Sequence, residues 1–459
     1  MNAKTAVALR RGFRGQVIVP GDPEYDRARA VWNGAIDRRP DVIARCTGTA
    51  DVLRAVEMAR RYGLLTAVRG GGHNIAGLGV CDGGLVIDLS PMKGVRVDAA
   101  RWTARAQPGV TWGDFDHETQ AFSLATPGCL MSSTGIAGFT LGGGFGWLSR
   151  AYGLACDNLL EADVVTADGK LVTASSEQHP DLFWGIRGGG GNFGIVTSFT
   201  YRLHPVGRQV LCGAVFLPAE RLPEVLSAVR DHLAGAPDEL FVSCVLSTAP
   251  AAPFLPAEVH GTPVVRVGMC WAGPPDRGVS VLAPLRGWKG ALADTVQTRP
   301  YVVWQRMLDS GWGPGALNHW KAEYLTVLNG AAIETIADHV ARISSPLSGI
   351  ELAFLGGAIA RVGADDTAYT HRAAPCLLNI NSRWETGAPD EHIAWTGRFW
   401  SAMRPYSSGG VYVNFLGQEG RGRVLEAYGL AKFERLTALK DRYDPGNLFR
   451  VNQNIPPSV

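Results

Sequence analysis

Three glycine runs stand out among the residues whose types and spacing suit chemistry: RGGGHN at 69–74, TLGGGFG at 140–146 and RGGGGNFG at 187–194. Each ordered glycine costs backbone entropy, so three such clusters in one half of the chain need a cause. Glycines make turns, but they also let bare backbone N–H groups approach a large ligand and meet its anionic oxygens. Three clusters together favour the ligand reading. The first run lacks the Lys-Ser/Thr ending of a P-loop, and GGGFGWL does not follow a clear strand in a compact βαβ unit. A nucleotide bound here is therefore not held in the Walker or Rossmann manner. His73, at the end of the first loop, offers an imidazole that can hydrogen-bond a phosphate or, when neutral, act as a nucleophile.

The segment around the first loop reads as a crossover. Val42–Cys46 forms a short buried strand, Thr49 caps a helix from about Ala50 to Tyr62, Gly63 ends it, and Leu64–Val68 is the second strand. GGLVIDLS and GVRVDAARWTARAQPG follow as short alternating strands, and ADVVTADGKLVTAS pairs around Asp168-Gly169. Character changes near Pro205. Residues 1–207 carry the glycine clusters, 208–410 read as a second domain of strands and amphipathic helices, and 411–459 form a polar, aromatic tail. Within 301–325 lie Trp304, Trp312, Trp320 and Tyr324, candidates for an aromatic pocket. Strand alternation puts Trp320, Ala322 and Tyr324 on one face and Lys321 and Glu323 on the other.

The chain has 459 residues, 46% apolar and 19% charged, enough for two or three lobes with a large core. A net charge of +2 without a long basic run gives no support to a nucleic-acid or membrane-surface partner. Eight scattered cysteines show no CxxC pair, which argues against a metal site and a disulfide scaffold. The N-terminal run MNAKTAVALRRGF is too short for a secretory signal, and no stretch reaches transmembrane length. A cytoplasmic protein is expected.

VRGGGHNIAGLGVCDGGLVIDL (68–89) resembles the pyrophosphate loop of the vanillyl-alcohol oxidase superfamily of FAD-linked oxidases. YGLACDNLLEADVVTADG (152–169), WGIRGGGGNFGIVTSF (184–199) and YDPGNLFRVNQNIPP (443–457) resemble its berberine bridge enzyme branch, including the compact bacterial group with 6-hydroxy-D-nicotine oxidase. The resemblance runs from about residue 35 to the C-terminus. It implies an α+β fold: a PCMH-type FAD-binding domain, joined by the tail, and a central antiparallel-sheet substrate domain backed by helices. It implies FAD attached covalently through His73 and, by a sulfur bond, through Cys156. Cofactor contacts would come from Arg69, Gly70, Gly71, Gly72 and Asn74, from Gly135, Gly138, Gly142 and Gly143, and from Leu159, Gly194, Ile195, Val196, Asn414 and Asn452. Leu159 would lie where oxygen reaches the ring.

Tyr412 in YVNF corresponds to the family's Y-x-N-Y segment, whose tyrosines are candidate bases; a phenol needs a depressed pKa for that task. Phe415 replaces the second phenol. Trp320 and Tyr324 are the substrate-pocket candidates. The implied activity is hydride transfer from a hydroxyl-bearing small molecule to FAD, with oxygen or another acceptor completing the cycle. An amine oxidase of the hydroxynicotine type and a non-catalytic flavin-binding protein are the alternatives.

Overall fold

A computed structural model describes residues 3–458, with side chains from Ala6 onward. Seventeen strands form three sheets. The first contains β1 (Gln16–Ile18), β2 (Val42–Arg45), β3 (Thr66–Arg69) and β4 (Leu85–Asp88) in the order β1-β2-β4-β3. β4 runs parallel to both β2 and β3, while β1 is antiparallel to β2. The parallel arrangement requires a crossover, and the helix Thr49–Tyr62 supplies it. That helix buries Val52, Ala55, Val56, Met58 and Ala59, each large side chain contributing roughly 1.5–3 kcal/mol when fully buried.

Both ends of this helix depart slightly from expectation. Thr49 is its first residue rather than its cap, and Gly48 precedes it in an extended conformation. Asp51 takes over the polar work there: its carboxylate accepts from the backbone N–H groups of Arg14, Gly15 and Thr47. At the other end Gly63 adopts the left-handed conformation at φ +60°, which glycine allows without a side-chain penalty. The Leu64 N–H then bonds back to Ala59, so the strand starts at Thr66 instead of Leu64.

The second sheet is antiparallel, with β5 (Val95–Asp98), β6 (Thr103–Ala106), β7 (Leu159–Val165), β8 (Leu171–Ser175) and β9 (Ile195–Arg202) in the order β5-β6-β9-β7-β8. Gly169 lies at φ +81° in the β7–β8 turn, as the Asp-Gly pair predicts.

The third sheet has eight strands, all antiparallel. They are β10 (Gln209–Pro218), β11 (Leu240–Thr248), β12 (Pro263–Trp271), β13 (Ala293–Asp294), β14 (Gln297–Pro300), β15 (Leu317–Leu325), β16 (Gly349–Phe354) and β17 (Cys376–Trp384). Their order is β13-β10-β12-β11-β16-β17-β15, with β14 also on β10. Helices Leu222–Leu233, Gly330–Val340 and Asp390–Met403 cover one face through Leu226, Val229, Ile336 and Phe399, which meet Leu378 and Ile380 of β17 in one core. The alternate residues of β17 therefore point to the opposite face.

The tail returns to the first two sheets. Val451 bridges to Ala67 beside β3, and Asn192 exchanges hydrogen bonds with Gln453 and Ile455. Lys440, fully buried, donates to Asp444 and to the carbonyls of Asn192 and Phe449. Among the described residues no helix is long and apolar enough to cross a membrane.

Candidate active site

A cavity of about 1120 Å³ separates the glycine clusters from the bare face of the eight-stranded sheet. Sites for one drug-sized ligand typically occupy about 300–1,000 Å³, so this space lies at the large end of ligand sites.

On the glycine side the clusters do two different jobs. A Cβ added at Gly71 would lie 2.6 Å from the Gly135 nitrogen, and one added at Gly135 would lie 2.6 Å from the Gly71 nitrogen. These two glycines let the first and second loops pack backbone to backbone. Gly142 likewise makes room for a protein group, since its Cβ would fall 2.1 Å from the Asn414 amide oxygen. Gly138 and Gly191 differ: nothing lies within 4 Å of an added Cβ, and both line the cavity. Their exposed backbone is the surface a ligand meets.

Gly70, Gly72, Gly194, Ile195 and Val196 also line the cavity, as do Arg69 and Asn74. Arg69 is held back by a 2.7 Å ion pair with buried Asp88, and the Asn74 side chain accepts from the Leu78 N–H. Both residues therefore shape the loop. Asn452 donates to the Phe449 carbonyl, while its own oxygen is buried without a partner.

His73 is on the cavity wall, stacked on Trp32 with ring centroids 5.5 Å apart. Burial holds its pKa down at about 4, so the imidazole is neutral near pH 7. Trp32 is itself fixed by donating to the Trp312 carbonyl, and Asn33 bonds to the backbone of Asn318 at the start of β15. These contacts lock the His73 loop against the eight-stranded sheet.

Tyr412 closes the cavity from the tail. Its oxygen accepts from the Gly144 N–H at 2.9 Å and from the Asn414 amide at 2.8 Å. With both lone pairs engaged, the phenol can send its own proton only to another acceptor. Burial raises its pKa well above the usual tyrosine value, outweighing the two hydrogen bonds. This is the opposite of the depression that a base role requires. Trp320, Phe415 and Phe145 complete an aromatic wall with it.

Four sequence-predicted positions lie off the cavity. Cys156 is fully buried in the hydrophobic core, with its thiol 3.7 Å from an Asp157 oxygen that is paired with Arg372. Burial and the Asp157 charge push the thiol pKa far up, so it is neither placed nor ionised for a sulfur bond. Leu159 opens β7, is 2% exposed and packs in the same core, so it cannot gate access to a ligand. Gly143, at φ +119°, faces the Tyr369 ring, which a Cβ would meet at 2.6 Å. Tyr324 is on the same strand face as Trp320, as alternation predicts, but is buried in the core off the cavity, its hydroxyl 2.6 Å from that of Tyr369. Trp312 reaches the cavity, whereas Trp304 is buried against Trp147.

Sequence reasoning missed several wall residues. Cys129 is the one cysteine on the wall among the described residues; burial pushes its thiol up to about 11. Asn379, Asn381 and Arg383 of β17 and Glu351 of β16 also face inward. Their signal was available in NINSR, where Asn379, Asn381 and Arg383 recur at every second position of a largely apolar strand.

The cavity is walled on one side by bare glycine backbone and a neutral imidazole and on the other by an aromatic and polar sheet. Residues 40–175 match an FAD binding domain, and residues 411–456 match the berberine and berberine-like family. (R)-6-hydroxynicotine oxidase of Paenarthrobacter nicotinovorans is 32% identical over 467 residues, covering 100% of this chain and 99% of that protein. The solved 6-hydroxy-D-nicotine oxidase of Arthrobacter nicotinovorans superposes with a TM-score of 0.87 at 30% identity, covering 97% and 98% of the two chains. A xylooligosaccharide oxidase of Myceliophthora thermophila gives 0.86 at 25% identity over the whole of both chains. The chain belongs to the berberine bridge enzyme-like family of FAD-linked oxidoreductases. The open faces of Gly138 and Gly191 and the unpartnered Asn452 oxygen fit the cofactor that this family binds.

Proposed function

We propose that this protein oxidises a hydroxyl-bearing small molecule and carries its FAD covalently through His73. The observation behind the attachment is His73 itself: a neutral imidazole, stacked and immobile, ending a glycine loop on the cavity wall. Bound FAD supplies hydride acceptance, and the protein supplies position and one proton path. Trp320 and Phe415 flank the substrate space, and Asn414 fixes the Tyr412 phenol at its edge. A sulfur bond from Cys156 has no support in this arrangement. Electrons leave to oxygen or to another acceptor.

One observation favours a second reading, oxidation of an amine. A neutral amine loses hydride without a strong base, and Tyr412 is held protonated. Anaerobic mixing of the holoenzyme with panels of alcohols, polyols and amines separates the two. Bleaching of the flavin by alcohols or polyols supports the first reading; bleaching by amines alone overturns it.

A further inference from the structure

A closed ring of contacts surrounds His73 and runs through both domains. Its imidazole stacks on Trp32, and the Trp32 indole donates to the Trp312 carbonyl at 3.0 Å. The Trp312 N–H donates in turn to the Asp309 carbonyl, across the single turn Asp309–Gly311 of the substrate domain. The Asp309 carboxylate then crosses to the FAD domain just ahead of the second glycine cluster. One of its oxygens accepts from the Ser132 N–H at 3.1 Å and the other from the Ser132 hydroxyl. Ser132 is buried, and its neighbour Ser133 presents a backbone carbonyl to the His73 ring. The close backbone contact of Gly71 with Gly135 fixes the spacing of the two loops that carry these residues.

Two members of this ring act on the imidazole electrically. Burial lowers the His73 pKa to about 4, and the Ser133 carbonyl and the Asp309 carboxylate work in the opposite direction. That opposition bears on attachment. Joining His73 to FAD forms a bond between an imidazole nitrogen and the carbon of a methyl group on the flavin ring. One methyl C–H bond and the imidazole N–H bond break, and the two protons and two electrons so released reduce one dioxygen to hydrogen peroxide. The imidazole attacks through its lone pair, so positive charge builds on it until the other nitrogen gives up its proton. A buried ring resists that charge, and a fixed negative charge beside it offsets the cost.

We propose that Asp309 is a positioning residue for cofactor attachment: aimed by Ser132, it holds the His73 ring in place through the Trp312–Trp32 link and sets a negative charge against it. The proposal rests on the reading that FAD is bonded to His73. It goes further by giving the substrate domain a part in loading the FAD domain.

The test follows attachment in time. Flavin-free full-length protein is mixed aerobically with FAD; acid precipitation gives the bonded fraction, and hydrogen peroxide is measured in parallel. The wild type should release peroxide and attach flavin in equal amounts. Asp309→Asn should attach about 10- to 100-fold more slowly, the effect of removing a charge close to a charged ring inside a protein. Its initial, non-covalent FAD affinity and its urea midpoint should match the wild type, because the amide oxygen still accepts from Ser132. Ser132→Ala keeps the charge but frees one carboxylate oxygen, and its rate should fall between the two. A merely structural Asp309 would lower affinity, stability and rate together; that pattern in Asp309→Asn overturns the proposal, as does attachment at the wild-type rate. If Asp309→Asn does not fold, Ser132→Ala decides, and an unchanged rate there overturns the proposal. Wild-type protein that binds FAD but never attaches it removes the His73 reading itself. Fast attachment in the wild type and in both variants leaves that reading standing and sinks only the role of Asp309.

Discussion

Gly138→Ala tests whether the open glycine face is the cofactor surface. Gly138 is in the short helix Ile136–Leu141, and nothing in the protein lies within 4 Å of the added methyl group. Alanine is favoured over glycine inside a helix by about 0.5–1 kcal/mol, so the flavin-free protein should become more stable by that amount. A ligand pressed against the bare backbone must instead accommodate the new methyl. Overpacking of this kind costs about 1–3 kcal/mol, or roughly 5- to 150-fold in affinity. The two effects have opposite signs in one variant. Reversible FAD binding can be titrated in a His73→Ala background, and stability followed by urea unfolding of the flavin-free protein. Gly71→Ala is the contrasting control: its Cβ meets Gly135 backbone at 2.6 Å, so stability and flavin binding should fall together. Higher stability of Gly138→Ala with unchanged FAD affinity would refute the reasoning.

Two further outcomes follow from buried titratable groups. Tyr412→Phe leaves the Gly144 N–H and the Asn414 amide without their acceptor, and should destabilise the protein by about 1–3 kcal/mol. It should slow flavin reduction without deleting a limb from the pH profile, since the phenol stays protonated; loss of a limb rising with pH would make Tyr412 the base. Asp116 is fully buried, and burial pushes its pKa up to about 8, with Gln305 pulling weakly the other way. The unfolded chain releases that proton near pH 4 and the folded chain keeps it until about pH 8, so stability falls as pH rises through that window. Urea midpoints should decline from about pH 5 to about pH 8.5 in the wild type and flatten in Asp116→Asn; equal slopes would contradict this.

The crossover around Thr49–Tyr62, the Asp168-Gly169 turn and the importance of the glycine clusters were legible because each rests on local signals: period, turn chemistry and composition. The roles of individual glycines were not. Gly71 and Gly138 look alike in sequence, yet one faces backbone and the other open space, a difference made by segments about 65 residues apart meeting in space. Cys156 and Leu159 failed for a related reason. Those two assignments came from the resemblance of the 152–169 segment, and a shared motif does not say which way a short turn and the first residue of β7 will point; here both point into the core. Alternation put Trp320 and Tyr324 on one strand face, but only the first reaches the cavity; Tyr324 is buried in the core beside Tyr369, 45 residues later in the chain. The Asn379, Asn381 and Arg383 pattern was visible in principle. Its meaning needed the knowledge that helices cover the other face of that sheet.

Covalent attachment through His73 is the central claim, and acid precipitation tests it most directly. Wild-type holoenzyme, Cys156→Ala and Cys129→Ala should each carry the yellow chromophore into the protein pellet, and His73→Ala should release all of it into the supernatant. Release of the flavin from the wild type, or its retention by His73→Ala, would contradict the account.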